Sequence, residues 1–324
     1  MRSIRTWLSA AVPLVCAVAV VGCGSSNSSS SSSTSSAAAA PTSSSTSAAG
    51  TSTAASSSAA PAGADATVVA LVPASIKSKG TLTVASDASY APNEFFASDG
   101  HTIIGMDADL SKALAAVMGL KANVVNETFD GIIPGLAAGK YDMGASSFTD
   151  TKAREKVVNF VDYFSAGTSF ITKASGGTSV SGLADLCGKT VAVEKGTTEE
   201  TDATAQGVKC KKGGKPNVTV LTFPDQNGAN LALSSGRAQL VMADSPVASY
   251  AVKKSNGQFK LVGTTYGTAP YGLAVPKTGD LDKPVLAALK VLMSNGTYSK
   301  IMAKWGLQSG AISPADVKIN GATS

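Results

Sequence analysis

Between Thr6 and Ala64 the chain carries no Lys, Arg, Asp or Glu, and 33 of the 36 positions from Ser25 to Ala60 are Ser, Thr or Ala. A stretch with no aromatic residue and almost no charge cannot bury enough apolar surface to offset chain entropy, so residues 24–66 are expected to form a tether. A flexible linker of that length spans roughly 35 to 40 Å. Any fold must therefore come from the remainder of the 324 residues, which is long enough for one large domain or two lobes of about 100 to 150 residues each. In that part 25 basic residues face 22 acidic ones. The excess is weak, and the runs Lys209-Cys-Lys-Lys212 and Lys253-Lys254 are short enough to be solvated surface, which argues against nucleic-acid binding.

Ahead of the tether, Arg2 and Arg5 precede an apolar stretch, Trp7 to Val21, interrupted by Pro13. It is shorter than the roughly 20 residues that span a bilayer and suits a secretory signal. It ends in Val20-Val21-Gly22-Cys23, which resembles a lipobox. Residues 1–23 thus read as a lipoprotein signal peptide with Cys23 as the lipidation site, and the protein as exported and anchored at the outer face of the cell membrane. With Cys16 inside the leader and Cys23 acylated, Cys187 and Cys210 remain as an even pair in an oxidising compartment. A disulfide is expected between them, with two buried free thiols as the alternative. The single His, His101, lies in the polar turn Asp99-Gly100-His101 and reads as a surface-loop residue, so neither a metal site nor any other cofactor is expected.

Beyond residue 80, short β-branched runs alternate with helical segments, which points to an α/β architecture. Strands are predicted at Thr81 to Ala85, Ala122 to Val125 and Tyr141 to Ala145, with helices at Asp107 to Met118 and Gly131 to Ala138. The order repeats with strands at Thr190 to Glu194, Val218 to Phe223 and Gln239 to Ala243 and helices from Thr198 and at Asn227 to Ser234. Tyr271 to Val275 and helices at Lys283 to Ser294 and Tyr298 to Trp305 close the chain. Two similar lobes are expected rather than one continuous sheet.

Eight segments in register resemble a known family: Ala85-Ser-Asp-Ala-Ser-Tyr-Ala-Pro92, Gly105-Met-Asp-Ala-Asp-Leu110, Phe129-Asp-Gly-Ile-Ile-Pro-Gly-Leu136, Gly139-Lys-Tyr-Asp142, Thr149-Asp-Thr-Lys-Ala-Arg-Glu-Lys156, Lys195-Gly-Thr-Thr198, Asp244-Ser-Pro-Val-Ala-Ser-Tyr250 and Asn295-Gly-Thr-Tyr298. The family is the extracellular solute-binding proteins, family 3, of ABC importers for polar amino acids. The resemblance implies a two-lobed type II periplasmic-binding fold, with lobe 1 at 67–173 plus 270–324, lobe 2 at 174–269, and two crossing segments as a hinge. It further implies a monomer that captures a polar or charged amino acid by hinge closure and delivers it to a membrane permease with its ATPase. A ligand-sensing domain for a membrane receptor, or less favourably a dehydratase-type enzyme on the same fold, are the alternatives.

Each implied ligand contact has a plainer reading beside it. Arg154 suits a carboxylate because its guanidinium meets both oxygens at once, yet it can equally be a solvated helix residue like Lys152 and Lys156. Asp244 is implied to hold the ligand's ammonium, but it precedes Ser245-Pro246 and fits a helix N-cap. Thr197 and Glu200 form a capping-box pattern, while the resemblance has Thr197 and Thr198 closing lobe 2 over the carboxylate. Ser147 and Thr149 are expected to offer hydroxyl and main-chain groups. Tyr90 and Phe129 are expected to wall the ligand's aliphatic part rather than fill the core, and Asp87 matches a position that touches a basic side chain in some members. Asn93, where an aromatic residue is frequent, is expected to open the side-chain pocket or make it more polar.

Overall fold

In the computed structural model the described residues are 63–323; the leader, Cys23 and nearly all of the tether lie outside them. In chain order the helices are α1 (Ala66–Leu71), α2 (Ala74–Lys79), α3 (Met106–Val117), α4 (Phe129–Ala137), α5 (Thr198–Lys212), α6 (Gln226–Ser234), α7 (Ser245–Lys254), α8 (Asp282–Ser294) and α9 (Thr297–Trp305). The strands are β1 (Thr81–Ser86), β2 (Ser89–Tyr90), β3 (Glu94–Phe96), β4 (Ile103–Ile104), β5 (Lys121–Asn126), β6 (Met143–Gly144), β7 (Val158–Lys173), β8 (Thr190–Glu194), β9 (Thr219–Phe223), β10 (Leu240–Asp244) and β11 (Phe259–Pro276).

The architecture is the expected two-lobed α/β fold, with one difference. Eight strands run in a continuous ladder, in the order β5-β1-β6-β11-β7-β10-β8-β9, rather than in separate sheets. The cause is the length of β7 and β11, which lie antiparallel and serve both halves: residues near 158–164 pair with 271–276, and residues 170–173 with 259–262. Register shifts between Val262 and Tyr266, between Tyr266 and Ala269, and between Tyr271 and Gly272 break the pairing midway. Such bulges twist and bend a strand pair, so the ladder turns where one half passes to the other.

Around β1, parallel to β5 and β6, helix α3 buries Met106, Leu110, Leu114 and Val117, spaced to form one face, against a core that includes Leu82, Val84, Leu289 and Met302. The other half builds its core from β8, β10, α6 and α7, with Ala192, Val241, Leu233 and Val247. Cys187 and Cys210 are disulfide-bonded there, which settles the sequence alternative. The folded part also begins earlier than expected. Asp65 caps α1 by accepting the Thr67 and Val68 N–H groups, its own N–H donates to the Val117 carbonyl at 3.0 Å, and Val68 and Val72 join the core, so Asp65 and Ala66 are not tether. Among the described residues no helix is long and apolar enough to cross a membrane. His101 sits in an exposed turn, as expected.

Candidate functional site

The residues that follow the parallel strands converge on one cleft. Asp87 follows β1, Phe129 opens α4 after β5, Ser146 and Ser147 follow β6, Glu194 ends β8 and Asp244 ends β10. Open α/β sheets place ligands outside the carboxyl ends of their strands, and a narrow pocket lies there. All nine expected ligand residues line it: Asp87, Tyr90, Phe129, Ser147, Thr149, Arg154, Thr197, Thr198 and Asp244. Ser146, Glu194 and Glu199 line it as well and were not foreseen.

The wall contributed by the β1 half is tightly pre-organised. The Asp87 N–H donates to Ser146 Oγ at 2.9 Å, and its two carboxyl oxygens accept the N–H groups of Ser89 at 3.1 Å and of Phe129 at 3.0 Å. The Phe129 N–H belongs to the start of α4, where free amides favour an anion. Burial pushes the Asp87 carboxyl up, and the Ser89 hydroxyl with these N–H groups pulls it back. Phe129 stacks on Phe148, ring centroids 4.5 Å apart, and the Arg154 guanidinium lies 5.3 and 5.5 Å from the two rings. That packing holds a planar cation by its face and leaves its edge for hydrogen bonds.

Arg154 is not on the helix the sequence suggested. It opens a single 3₁₀ turn, Arg154–Lys156, because β7 starts at Val158 and leaves no room for more. Its Nη1 donates to the Thr149 carbonyl at 2.8 Å and its Nη2 to the Gly196 carbonyl at 2.9 Å, on the opposite wall. The residue as a whole is half-buried, but its head is deep enough that desolvation dominates and lowers its pKa, opposed by the Glu199 and Asp244 carboxyls. Among the described residues no carboxylate lies within 4.0 Å of it.

Two expectations change on this wall. The Ser147 hydroxyl is committed to a buried network: it accepts from Asn93 Nδ2 at 2.8 Å and lies 3.2 Å from Glu94 Oε2, while the Ser147 N–H donates to Asp107 Oδ2 at 2.8 Å. Asn93 is fully buried in that network and is not on the pocket wall, so it neither widens nor polarises the pocket. Its amide serves the Ser147 hydroxyl instead.

The opposite wall is rich in carboxyls. Thr197 is the N-cap of α5, accepting the Glu200 N–H at 3.2 Å and donating to the Glu194 carbonyl at 2.7 Å, while Glu200 accepts the Gly196 N–H at 2.7 Å. The capping reading of Thr197 is thus realised on the pocket wall. Gly196 has φ 79°, and a Cβ there would meet the Asp130 Cβ of α4 at 2.9 Å. Glycine is needed for both reasons, and the turn is clasped further by a Lys195–Asp130 ion pair at 2.8 Å.

Asp244 makes no side-chain cap bond to α7, so the cap reading is not realised. Its Oδ2 accepts from the Tyr90 hydroxyl at 3.0 Å, and its N–H donates to the same hydroxyl at 3.0 Å. Tyr90 is therefore a polar latch between the two walls as well as a wall residue. Burial, then the nearby Glu199, hold the Asp244 carboxyl well above the usual range, against the pull of the Tyr90 hydroxyl and Arg154. Glu199 accepts from Thr168 Oγ1 at 2.6 Å and Thr198 Oγ1 at 3.1 Å. Glu194 is 2 % exposed with Oε1 unpartnered. One guanidinium thus faces four desolvated carboxyls, a set that is stable only with added protons or an added cation.

The description "Bacterial extracellular solute-binding proteins, family 3" fits residues 82–308. The chain belongs to that family. It is 37% identical to the arginine-binding protein ArgT of Corynebacterium glutamicum over 249 residues, 76% of this chain and 81% of ArgT. An ancestral arginine-binding protein solved with arginine superposes with a TM-score of 0.64 at 38% identity, over 70% of this chain and 98% of that one. The ancestral amino acid-binding protein AncCDT-1, a precursor of cyclohexadienyl dehydratase, does so with a TM-score of 0.62 at 34% identity, over 71% and 97%. Among the described residues no group of three or more His, Cys, Asp or Glu could hold a metal ion.

Proposed function

We propose that the chain is the substrate-binding lipoprotein of an ABC importer for an amino acid with a cationic side chain, of the arginine class. The observation that carries this is the charge of the cleft: Arg154 has no carboxylate partner within 4.0 Å among the described residues, yet Asp87, Glu194, Glu199 and Asp244 share its pocket. Arg154 takes the α-carboxylate, Asp244 with Glu199 beside it takes the α-ammonium, and Asp87 with Glu194 meets the side-chain cation, while Phe129 and Tyr90 wall the aliphatic part. Lobe 1 comprises residues 67–173, extended back to Asp65, plus 270–324, and lobe 2 residues 174–269. A ligand that joins charges on both walls favours the closed arrangement, because only closure satisfies both.

Cys23 anchors the exported protein to the membrane, and a permease with its ATPase receives the ligand. The reading is of a binder and not an enzyme, in line with the binding proteins it resembles. A thermal-shift screen of the twenty amino acids tests it: arginine or lysine should give the largest stabilisation, and no response to either would contradict it. Mass spectrometry of Cys23→Ser should show loss of the acyl groups; a lipidated product would refute the anchor.

A further inference from the structure

Asp87 and Glu194 come from opposite walls of the cleft and line the same pocket. Asp87 is already held by the Ser89 and Phe129 N–H groups. Glu194, at the end of β8, is 2 % exposed, lines the pocket and has an unpartnered Oε1. The titratable groups around it are Asp87 from the β1–β2 turn, Asp225 from the N-cap of α6, Glu199 from α5 and Tyr90 from β2. The adjacent cation does not help, because Lys195 is turned onto Asp130. Burial, then Asp87, raises the Glu194 carboxyl well above the usual range.

We propose that Asp87 and Glu194 form a proton-gated reader of the ligand's side chain: closure over a cationic side chain keeps both carboxylates ionised, whereas closure over a neutral one requires the pair to take a proton from solvent. This rests on the binding reading above and adds the basis of its selectivity. With the walls apart, both groups are solvated and ionised at neutral pH. Bringing them together in a desolvated cleft sets two like charges side by side, so one carboxylate oxygen accepts a proton from water or buffer and donates it to the other. A guanidinium offers several donors and a positive charge to both, and no proton moves. Binding of a neutral ligand therefore weakens as pH rises, by up to about tenfold per unit. Binding of a cationic ligand stays flat over the same range, so discrimination grows with pH.

Arginine and citrulline, which differ in replacing a guanidinium by a neutral ureido group, are the probes. Isothermal calorimetry at pH 5.5 and 7.5, in buffers of different ionisation enthalpy, counts the protons. Arginine should bind with no net proton exchange and a flat profile. Citrulline should take up about one proton and lose up to about 100-fold in affinity across the two units. In Glu194→Gln the citrulline uptake should vanish and the arginine-to-citrulline ratio at pH 7.5 should narrow by about tenfold or more. The wild-type proton count decides even if Glu194→Gln does not fold. Equal proton counts for the two ligands, an unchanged ratio in Glu194→Gln, or citrulline that fails to bind even at pH 5.5 would each overturn the gate. If arginine still binds in those cases, the cationic amino-acid reading survives; if arginine does not bind at all, both fall.

Discussion

The two walls of the cleft differ in how their polar groups are satisfied. On the β1 side Asp87 takes two N–H groups, Arg154 is stacked on two rings and bonded to two carbonyls, and Ser146 and Ser147 are fixed by the buried Glu94 and Asp107. On the β8–β10 side Glu194 has an unpartnered oxygen and Asp244 relies on a tyrosine that arrives from the other wall. The first wall is satisfied largely from within, apart from the Arg154 bond to Gly196, whereas Glu194 and Asp244 on the second lack partners of their own wall. On the proposed binding reading, this asymmetry would give recognition to the first wall and the energetics of closure to the second.

The sharpest way to break the comparison is at Arg154. Truncation to Ala should cost about 2 to 5 kcal/mol of ligand binding, roughly 30-fold to several thousand-fold, read by calorimetry. Arg154→Lys should lose much of the same, since an ammonium cannot make the two-pronged contact. Exposed Lys156→Ala should change affinity little. Next in size is the Cys187–Cys210 bond, which belongs to the second wall's scaffold and not to the pocket. Replacing both by Ser should lower stability by about 3 kcal/mol in denaturant titrations and leave affinity nearly unchanged.

Tyr90→Phe removes both bonds to Asp244, and an unsatisfied buried group costs about 1 to 3 kcal/mol, so arginine affinity should fall by roughly 5- to 150-fold with folding intact. An unaltered affinity would mean that the second wall does not depend on the first. The smallest effect lies behind the cleft. Burial and the neighbouring Asp150 push the Asp162 carboxyl up to about 7, where the Ala322 N–H straps the C-terminal segment onto Asp150. The folded state then binds more protons than the unfolded state between about pH 4 and 7, so stability should fall as pH rises through that window and level off above it, by no more than about 1.4 kcal/mol per unit. Asp162→Asn should flatten that slope in thermal melts.

Much of this was legible in the chain. The strand at Thr190 to Glu194 and the start of α5 at Thr198 lie where the β-branched run and the capping box put them. Strand β7, and β11 ahead of Tyr271, were hidden because their middle portions, such as Gly263 to Thr268, are bulged and neither alternate nor end in turn signals. The two- and three-residue strands β2, β3 and β4 are too short for any period to register. Arg154 and Asp244 were legible as chemistry but not in local structure, since the early start of β7 forbids a helix and the Tyr90 latch displaces a cap. Glu194 and Glu199 read as ordinary polar boundaries of a strand and a helix. Only their convergence with Asp87 and Asp244, distant in sequence, puts them on one pocket wall.

The central claim is that Arg154 reads an α-carboxylate while the pocket's carboxyls read cations. Agmatine, which is arginine without its carboxylate, isolates that contact. Calorimetry of arginine and agmatine on the wild type and Arg154→Ala forms a two-by-two cycle. The wild type should prefer arginine by about 30-fold or more, and Arg154→Ala should bind both ligands with similar, weak affinity. Near-native arginine affinity in Arg154→Ala, or a preference for arginine that persists there, would contradict the account.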